Sequence, residues 1–186
     1  GGGGGNAVNL MFEDGIKDVD FVLCYTVAQA LAASRVPIKI QLGESKTQGR
    51  GAGNNPENGR EAAQENSHDV EKVLANNTQM VFITAGMGGG TGTGAAPIIA
   101  QLARELDILT VGVVTVPFRF EGPKRINQAM KGIEEMQQYV DSLLIINNEK
   151  LREMYGNLSM SEAFAKADNV LASAVKGIAE IITVHG

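Results

Sequence analysis

Three glycine clusters are the residues of this chain whose spacing most suggests chemistry: Gly1 to Gly5, Gly49 to Gly53 (G-R-G-A-G) and Gly88 to Gly94 (G-G-G-T-G-T-G). A glycine-rich turn running into a helix lets backbone N–H groups converge on an anion, which the positive end of the helix then favours. Phosphate is the first ligand to consider. Thr91 and Thr93 strengthen the third cluster, since hydroxyls can donate to phosphate oxygens or hold a metal's water. A tight turn alone needs two or three glycines, and each extra one costs about 0.5–1 kcal/mol relative to Ala, so the surplus points to a ligand. The first cluster by itself also fits a flexible linker, and the second a surface loop.

Two familiar phosphate motifs fail. The pattern G-x-x-x-x-G-K-[ST] needs a Gly-Lys pair, and G-x-G-x-x-G is met by none of the three clusters. Phosphate charge must then be met by N–H groups, helix ends and a hydrated cation, for which Mg²⁺ is favoured because it prefers oxygen ligands and keeps waters.

The elements that must position these clusters follow from periodicity. Ala7, Val8, Leu10 and Met11 open a short amphipathic helix that Gly15 can end. Val19 to Tyr25 reads as a strand, Thr26 to Ser34 as a turn or short helix, and Pro37 to Leu42 as a strand nearer the sheet edge. Glu57 to Ala75 predicts one outer helix. Met80 to Ala85 predicts a strand buried on both faces, and Ala95 to Leu106 a helix with Pro97 in its first turn. Then come a strand over Ile108 to Thr115, a charged loop over Val116 to Gly122, a helix over Lys124 to Tyr139 and a buried strand over Ser142 to Ile146. Met160 to Thr183 keeps the longest helical stripe. Strands separated by helices predict an α/β fold, a Rossmann-like, mostly parallel sheet with helices on both faces, ending in a long helix. Ligands of such sheets lie at the carboxyl ends of the strands, which gathers the first residues, Gly49 to Asn55, Gly88 to Gly94, Pro117 to Arg125 and Asn148 along one rim.

Composition bounds the class. With 186 residues, 44% hydrophobic and 20% charged, this is one ordinary domain with a single core. The net charge of −5 and the absence of tryptophan argue against nucleic-acid binding. No apolar stretch is long enough to enter and span a bilayer, and no leader precedes a cleavage site. Cys24 cannot make an internal disulfide and reads as a small core residue, which makes a reducing cytoplasm the default.

The motif G-G-G-T-G-T-G resembles the signature of the tubulin and FtsZ superfamily, and its surroundings are closer to the bacterial FtsZ branch. The supporting stretches are G-G-G-G-N-A-V-N (Gly2 to Asn9), A-Q-A-L (Ala28 to Leu31), G-A-G-x-N-P (Gly51 to Pro56), F-I-T-A-G-M (Phe82 to Met87), P-F-x-F-E-G (Pro117 to Gly122) and I-A-E-I-I-T-V (Ile178 to Val184). They occur in the family's order along the whole chain.

The resemblance implies a GTPase that binds GTP or GDP with Mg²⁺, and a long central helix after the nucleotide-binding domain. It places phosphates on Gly2, Gly3, Gly4 and Gly5, on Ala52 and Gly53, and on Gly90, Thr91 and Gly92, with Asn6 near the sugar and phosphates. Glu121 and Arg125 fall at the ribose side, Asn148 and Asp168 at the guanine edge, and Phe164 on the base. Each also has a plainer reading. Phe164 alone fits a core residue, Glu121 and Arg125 a surface pair of little energetic value, and Asn148 a helix N-cap before Glu149. Asp168 suits the ligand reading better, because a carboxylate can accept two hydrogen bonds from a guanine N–H pair.

The family's implied setting is head-to-tail self-assembly into filaments at the midcell division site in the cytoplasm, tethered to the membrane by partners that bind a tail. Against that pattern, Tyr25 and Val27 flank Thr26 where N-T-D is usual, Asn54 replaces a small residue, and Val116 stands where Lys is common. The chain also reads as a partial domain over 1–186, without the family's first strand, its acidic N-x-D-x-x-D loop, the second domain or the tail. In the family that loop enters the neighbour's site and positions the attacking water, so no catalytic residue and no metal-ligating side chain is expected here. The alternatives are a non-polymerising nucleotide-binding module of the same fold and, more weakly, an NAD-dependent enzyme.

Overall fold

The structure, a computed structural model, describes residues 3–15 and 19–185, with the side chains of Lys46 and of residues from 180 onward outside it. Helix α1 (Gly3–Asp14) leads to strand β1 (Val22–Tyr25), helix α2 (Ala28–Ala33), strand β2 (Ile38–Gln41) and a four-residue helix α3 (Glu44–Thr47). Helices α4 (Pro56–Glu65) and α5 (Ser67–Leu74) precede strand β3 (Met80–Gly86), helix α6 (Thr91–Glu105) and strand β4 (Leu109–Val116). A single 3₁₀ turn (Arg119–Glu121), helix α7 (Pro123–Gln137), strand β5 (Ser142–Asn147), helix α8 (Asn148–Tyr155) and helix α9 (Met160–His185) complete the chain.

The strands pair in parallel, as the alternation of strands and helices predicts, but in two sheets. One is β1-β2 and the other is β3-β4-β5 with β4 central. The facing edges of β1 and β3 are separated by an apolar groove of about 160 Å³, lined by Leu23, Cys24, Val81, Ile83, Ala95 and Ile99. Burial pushes the Cys24 thiol up to about 12, so the thiolate needed for alkylation is scarce. The native protein at pH 8 is expected to resist thiol reagents that label it readily in denaturant; a mass shift of the native chain within minutes would contradict this.

Alternation along the strands decides which helices cover which face. Val111 and Val113 of β4 pack with Ala7 and Met11 of α1 and Leu171, Ala172 and Val175 of α9. Val114 and Val116 face the other way, onto Ala96 and Ala100 of α6 and Ala129, Ile133 and Met136 of α7. A third cluster joins Ile40 and Leu42 to Ala62, Val70, Ile98 and Leu102. On α9 the buried positions Ala163, Ala167, Leu171, Val175 and Ala179 recur every four residues, so this helix of about 39 Å turns one stripe inward, first onto Phe118 and then onto α1 and β4. None of the helices is long and apolar enough to cross a membrane, among the described residues.

Several expectations are corrected. Both glycine-led helices begin four residues early, at Gly3 and Thr91 rather than Ala7 and Ala95, because the glycines and threonines themselves form the first turn. Pro97 therefore lies inside α6, not in its first turn. The predicted outer helix breaks at Asn66, whose side chain accepts from the Gly43 N–H at 2.8 Å. Strand β5 is an exposed edge rather than a buried strand, with Leu144 41% and Ile145 42% exposed.

Candidate functional site

The register places the strand ends together. Gly86 of β3 lies opposite Thr115 of β4, and Val116 opposite Asn147 of β5, so the connections after all three strands leave from one rim. The first turn of α1 joins them: a Cβ on Gly4 would lie 2.5 Å from the Thr84 carbonyl oxygen and 3.0 Å from the Ala85 Cα. The N-termini of α1 and α6 thus meet at the carboxyl end of β3. The first α-type bond of α6 runs from the Gly94 N–H to the Gly90 carbonyl at 3.1 Å. Helix geometry leaves the N–H groups of Thr91, Gly92 and Thr93 without an intrahelical acceptor. Of the candidate phosphate glycines, Gly2 lies outside the described residues.

The two threonine hydroxyls are used within the protein. Thr91 Oγ1 lies 2.7 Å from Thr26 Oγ1 in a buried pair, and Thr93 Oγ1 accepts from the Gly88 N–H at 2.7 Å. What α6 offers a ligand is therefore backbone. Thr26 is a residue that sequence reasoning misses; its signal is that it alone persists between the departing Tyr25 and Val27.

The second cluster closes over the third. A Cβ on Gly90 would fall 2.6 Å from Ala52 Cβ and 2.9 Å from the Asn55 nitrogen, so the 51–55 loop rests directly on the start of α6. Pro56 opens α4 with Asn55 as N-cap, its side chain accepting from the Glu57 N–H. The surplus glycines thus have a packing reason beside the ligand one: Gly94 lies against the Pro56 carbonyl and 2.6 Å, as a Cβ, from the Arg60 nitrogen.

At the other end of the rim, Glu121 bonds Arg125 at 3.3 Å and accepts from the Phe118 N–H at 2.8 Å. The Glu121 side chain is only 12% exposed, so this pair buttresses the 3₁₀ turn rather than floating on the surface. Arg125 also donates to Asn54 Oδ1 at 2.9 Å. Phe118 and Phe120 stack at 4.9 Å, and Phe164 sits edge-on to both at 5.4 and 5.6 Å. Phe164 is nevertheless 39% exposed, a ring fixed by two others with surface left open. One turn along α9, Asp168 Oδ2 accepts from Asn6 Nδ2 at 3.0 Å, tying α9 to α1.

The N-cap of α8 is Asn147, whose side chain accepts from the Glu149 and Lys150 N–H groups. Asn148 is instead buried at 5% exposure, and its Oδ1 has no hydrogen-bond partner among the described residues. A buried acceptor left unpaired costs about 1–3 kcal/mol, which a donor from a ligand would recover.

Burial raises the Asp168 carboxyl above its ordinary range, partly opposed by the Asn6 hydrogen bond. The folded chain then holds this proton to higher pH than the unfolded chain does. The associated stability is present below the ordinary Asp value and is lost as pH rises through the raised one. Denaturation midpoints across the acidic range are expected to show a component of that sign which Asp168→Asn removes; an unchanged pH profile in the variant would contradict the assignment.

Comparison with known proteins gives the family and the fold. The model of the Tubulin/FtsZ family, GTPase domain, matches residues 1–156. Cell division protein FtsZ of Porphyromonas gingivalis is 55% identical over 187 residues, covering 100% of this chain and 41% of that protein. Cell division protein FtsZ of Aquifex aeolicus is 50% identical over 183 residues, covering 98% of this chain and 50% of that one. The solved empty FtsZ dimer of M. jannaschii superposes with a TM-score of 0.96 at 43% identity, covering 100% of this chain and 54% of that one. The chain therefore spans about half the length, or somewhat less, of these relatives. By the family match and by its fold, the chain belongs to the Tubulin/FtsZ family, and the part of that family it matches is the GTPase domain.

Proposed function

We propose that the chain binds GTP and GDP at this rim and is the nucleotide-holding part of a GTPase that assembles head to tail into a bacterial division ring; its relatives are named as cell division proteins. The observation that carries the reading is the buried Asn148 Oδ1, unpartnered among the described residues and placed just after the carboxyl end of β5. Guanine offers N–H donors at N1 and N2, which suit acceptor oxygens on Asn148 and Asp168. Adenine presents an acceptor at N1 and a different donor pattern. Phe164 would stack on the base, Glu121 and Arg125 would meet the ribose side, and Asn6 would hold Asp168 while reaching the sugar and phosphates.

Phosphates would lie on the N–H groups of Gly90, Thr91 and Gly92, on Ala52 and Gly53, on the start of α1 at Gly3 to Gly5, and on Gly2 before it. No group of three His, Cys, Asp or Glu side chains suited to a metal occurs among the described residues. Mg²⁺, which prefers oxygen ligands and keeps waters, belongs to the same proposal and would supply neutralisation of the phosphate charge. Hydrolysis would need an acidic loop from a neighbouring subunit, with 1–186 supplying the nucleotide-holding part. The division of the sheet between β1 and β3 supports placing a further strand there. Such a contact between subunits is heterologous and builds open filaments. Membrane-tethering partners, a cytoplasmic setting and the midcell site belong to the same proposal.

Titration calorimetry is expected to give GTP binding at least tenfold tighter than ATP or NAD; equal affinities would overturn the reading. The competing non-polymerising module is favoured only by apolar Tyr25 and Val27 beside the site. Sedimentation with GTP, using a chain that also carries an acidic N-x-D-x-x-D loop, separates the two, since the module would stay monomeric.

A further inference from the structure

Asn54 departs from the family pattern, and Gln128 belongs to no motif. The structure joins them. Gln128 Nε2, on α7, donates to the Gly88 carbonyl at 2.7 Å and to the Asn54 carbonyl at 3.3 Å. One carboxamide therefore bridges the loop after β3 and the 51–55 loop, which also touch at Gly90. Asn54 sits at φ +57°, a left-handed backbone that Asn tolerates. That conformation coexists with its side-chain bond to Arg125 Nη2, one turn before Gln128 on the same helix.

We propose that Gln128 is a positioning residue that sets the spacing between the two phosphate-binding loops, with Asn54 as a chain-specific tie that holds the second loop to Arg125. The inference rests on the reading of both loops as phosphate sites. Two donations from one side chain fix a distance between loops that share no strand pairing. The backbone N–H groups of Ala52, Gly53 and Gly90 to Gly92 can then face one polyphosphate without reorganising when it binds. Gln128 touches no base or sugar in this account, so its effect must be confined to the phosphate part of the ligand.

The 186-residue chain, its Gln128→Met variant and an Asn127→Ala control on the exposed side of α7 are titrated with GTP and with guanosine. Gln128→Met keeps length and bulk and removes both donations. It is expected to weaken GTP about tenfold while guanosine changes less than about twofold. Amide hydrogen exchange of the free protein is expected to quicken at 88–91 and 51–55 together. Asn54→Ala, which keeps the carbonyl bonded by Gln128, is expected to quicken 51–55 alone. Equal loss of GTP and guanosine, or no change in either with normal loop exchange, would overturn the inference and leave the GTP reading standing. A wild-type chain that gains nothing from phosphates would sink that reading and this inference with it.

Discussion

Replacing Asp168 by Asn is expected to weaken GTP about 100-fold and to make xanthosine triphosphate the better ligand. Guanine presents two adjacent donors, N1–H and N2–H₂, to a carboxylate that can accept both. The carboxamide that replaces it would present one acceptor and one donor, so one favourable contact becomes a donor facing a donor. A hydrogen bond to a charged group is worth about 1.5–3 kcal/mol, which sets the size of the loss. Xanthine carries an oxygen in place of the N2 amino group and restores the match. The Asn6 donation to Oδ2 at 3.0 Å favours the carbonyl of the new amide at the Oδ2 position, which orients the amide. A variant that loses affinity for both nucleotides alike would place Asp168 in a structural role only.

The second large effect concerns packing. Gly94→Ala is expected to cost about 3 kcal/mol, lowering Tm by roughly 6–12 °C for a domain of this size. The added Cβ meets the Pro56 carbonyl and the Arg60 nitrogen, both backbone, so α4 and α6 must separate. The 51–55 loop, which rests on Gly90, would move with α4 and phosphate binding would fall in parallel. Gly53→Ala is the informative partner. Gly53 lies at φ +63° with no atom within 4 Å of the added Cβ, so only backbone strain of about 1 kcal/mol is expected. Equal destabilisation by the two substitutions, read by calorimetric melting, would sink the distinction between close approach and backbone conformation.

That distinction also explains how much of the fold is legible in the sequence. The glycine clusters announce an anion site, and helical periodicity announces α6, α7 and α9, because both are local signals. The starts of α1 and α6 escape a reading that treats glycine as a breaker. At Gly4, Gly90 and Gly94 the absence of a side chain permits backbone contact that outweighs poor helix propensity. Strand β5 looks buried in the sequence because a short apolar run does not tell which strand ends the sheet. The break at Asn66 depends on a bond to Gly43, 23 residues away, and the Gln128 bridge on partners 40 and 74 residues away. No window along the chain contains such pairs. Helix α8 has local signals that periodicity alone does not weigh: Asn147 caps it, and Glu149–Arg152 and Lys150–Glu153 pair along it at i,i+3. The cap lies one residue earlier than the plainer reading of Asn148 places it, so Asn148 is not the cap.

The central claim is that two glycine-led helix starts and the Asn148–Asp168 edge form one guanine-nucleotide site. Amide chemical-shift mapping of the isotopically labelled chain during GDP addition tests it most directly. Saturable shifts are predicted at Gly4, Gly5, Ala52, Gly53, Gly90, Thr91 and Gly92 and at Asn148, Phe164 and Asp168, all with one dissociation constant, and much smaller shifts with ADP. Shifts confined to the glycine loops and equal for both nucleotides would contradict it.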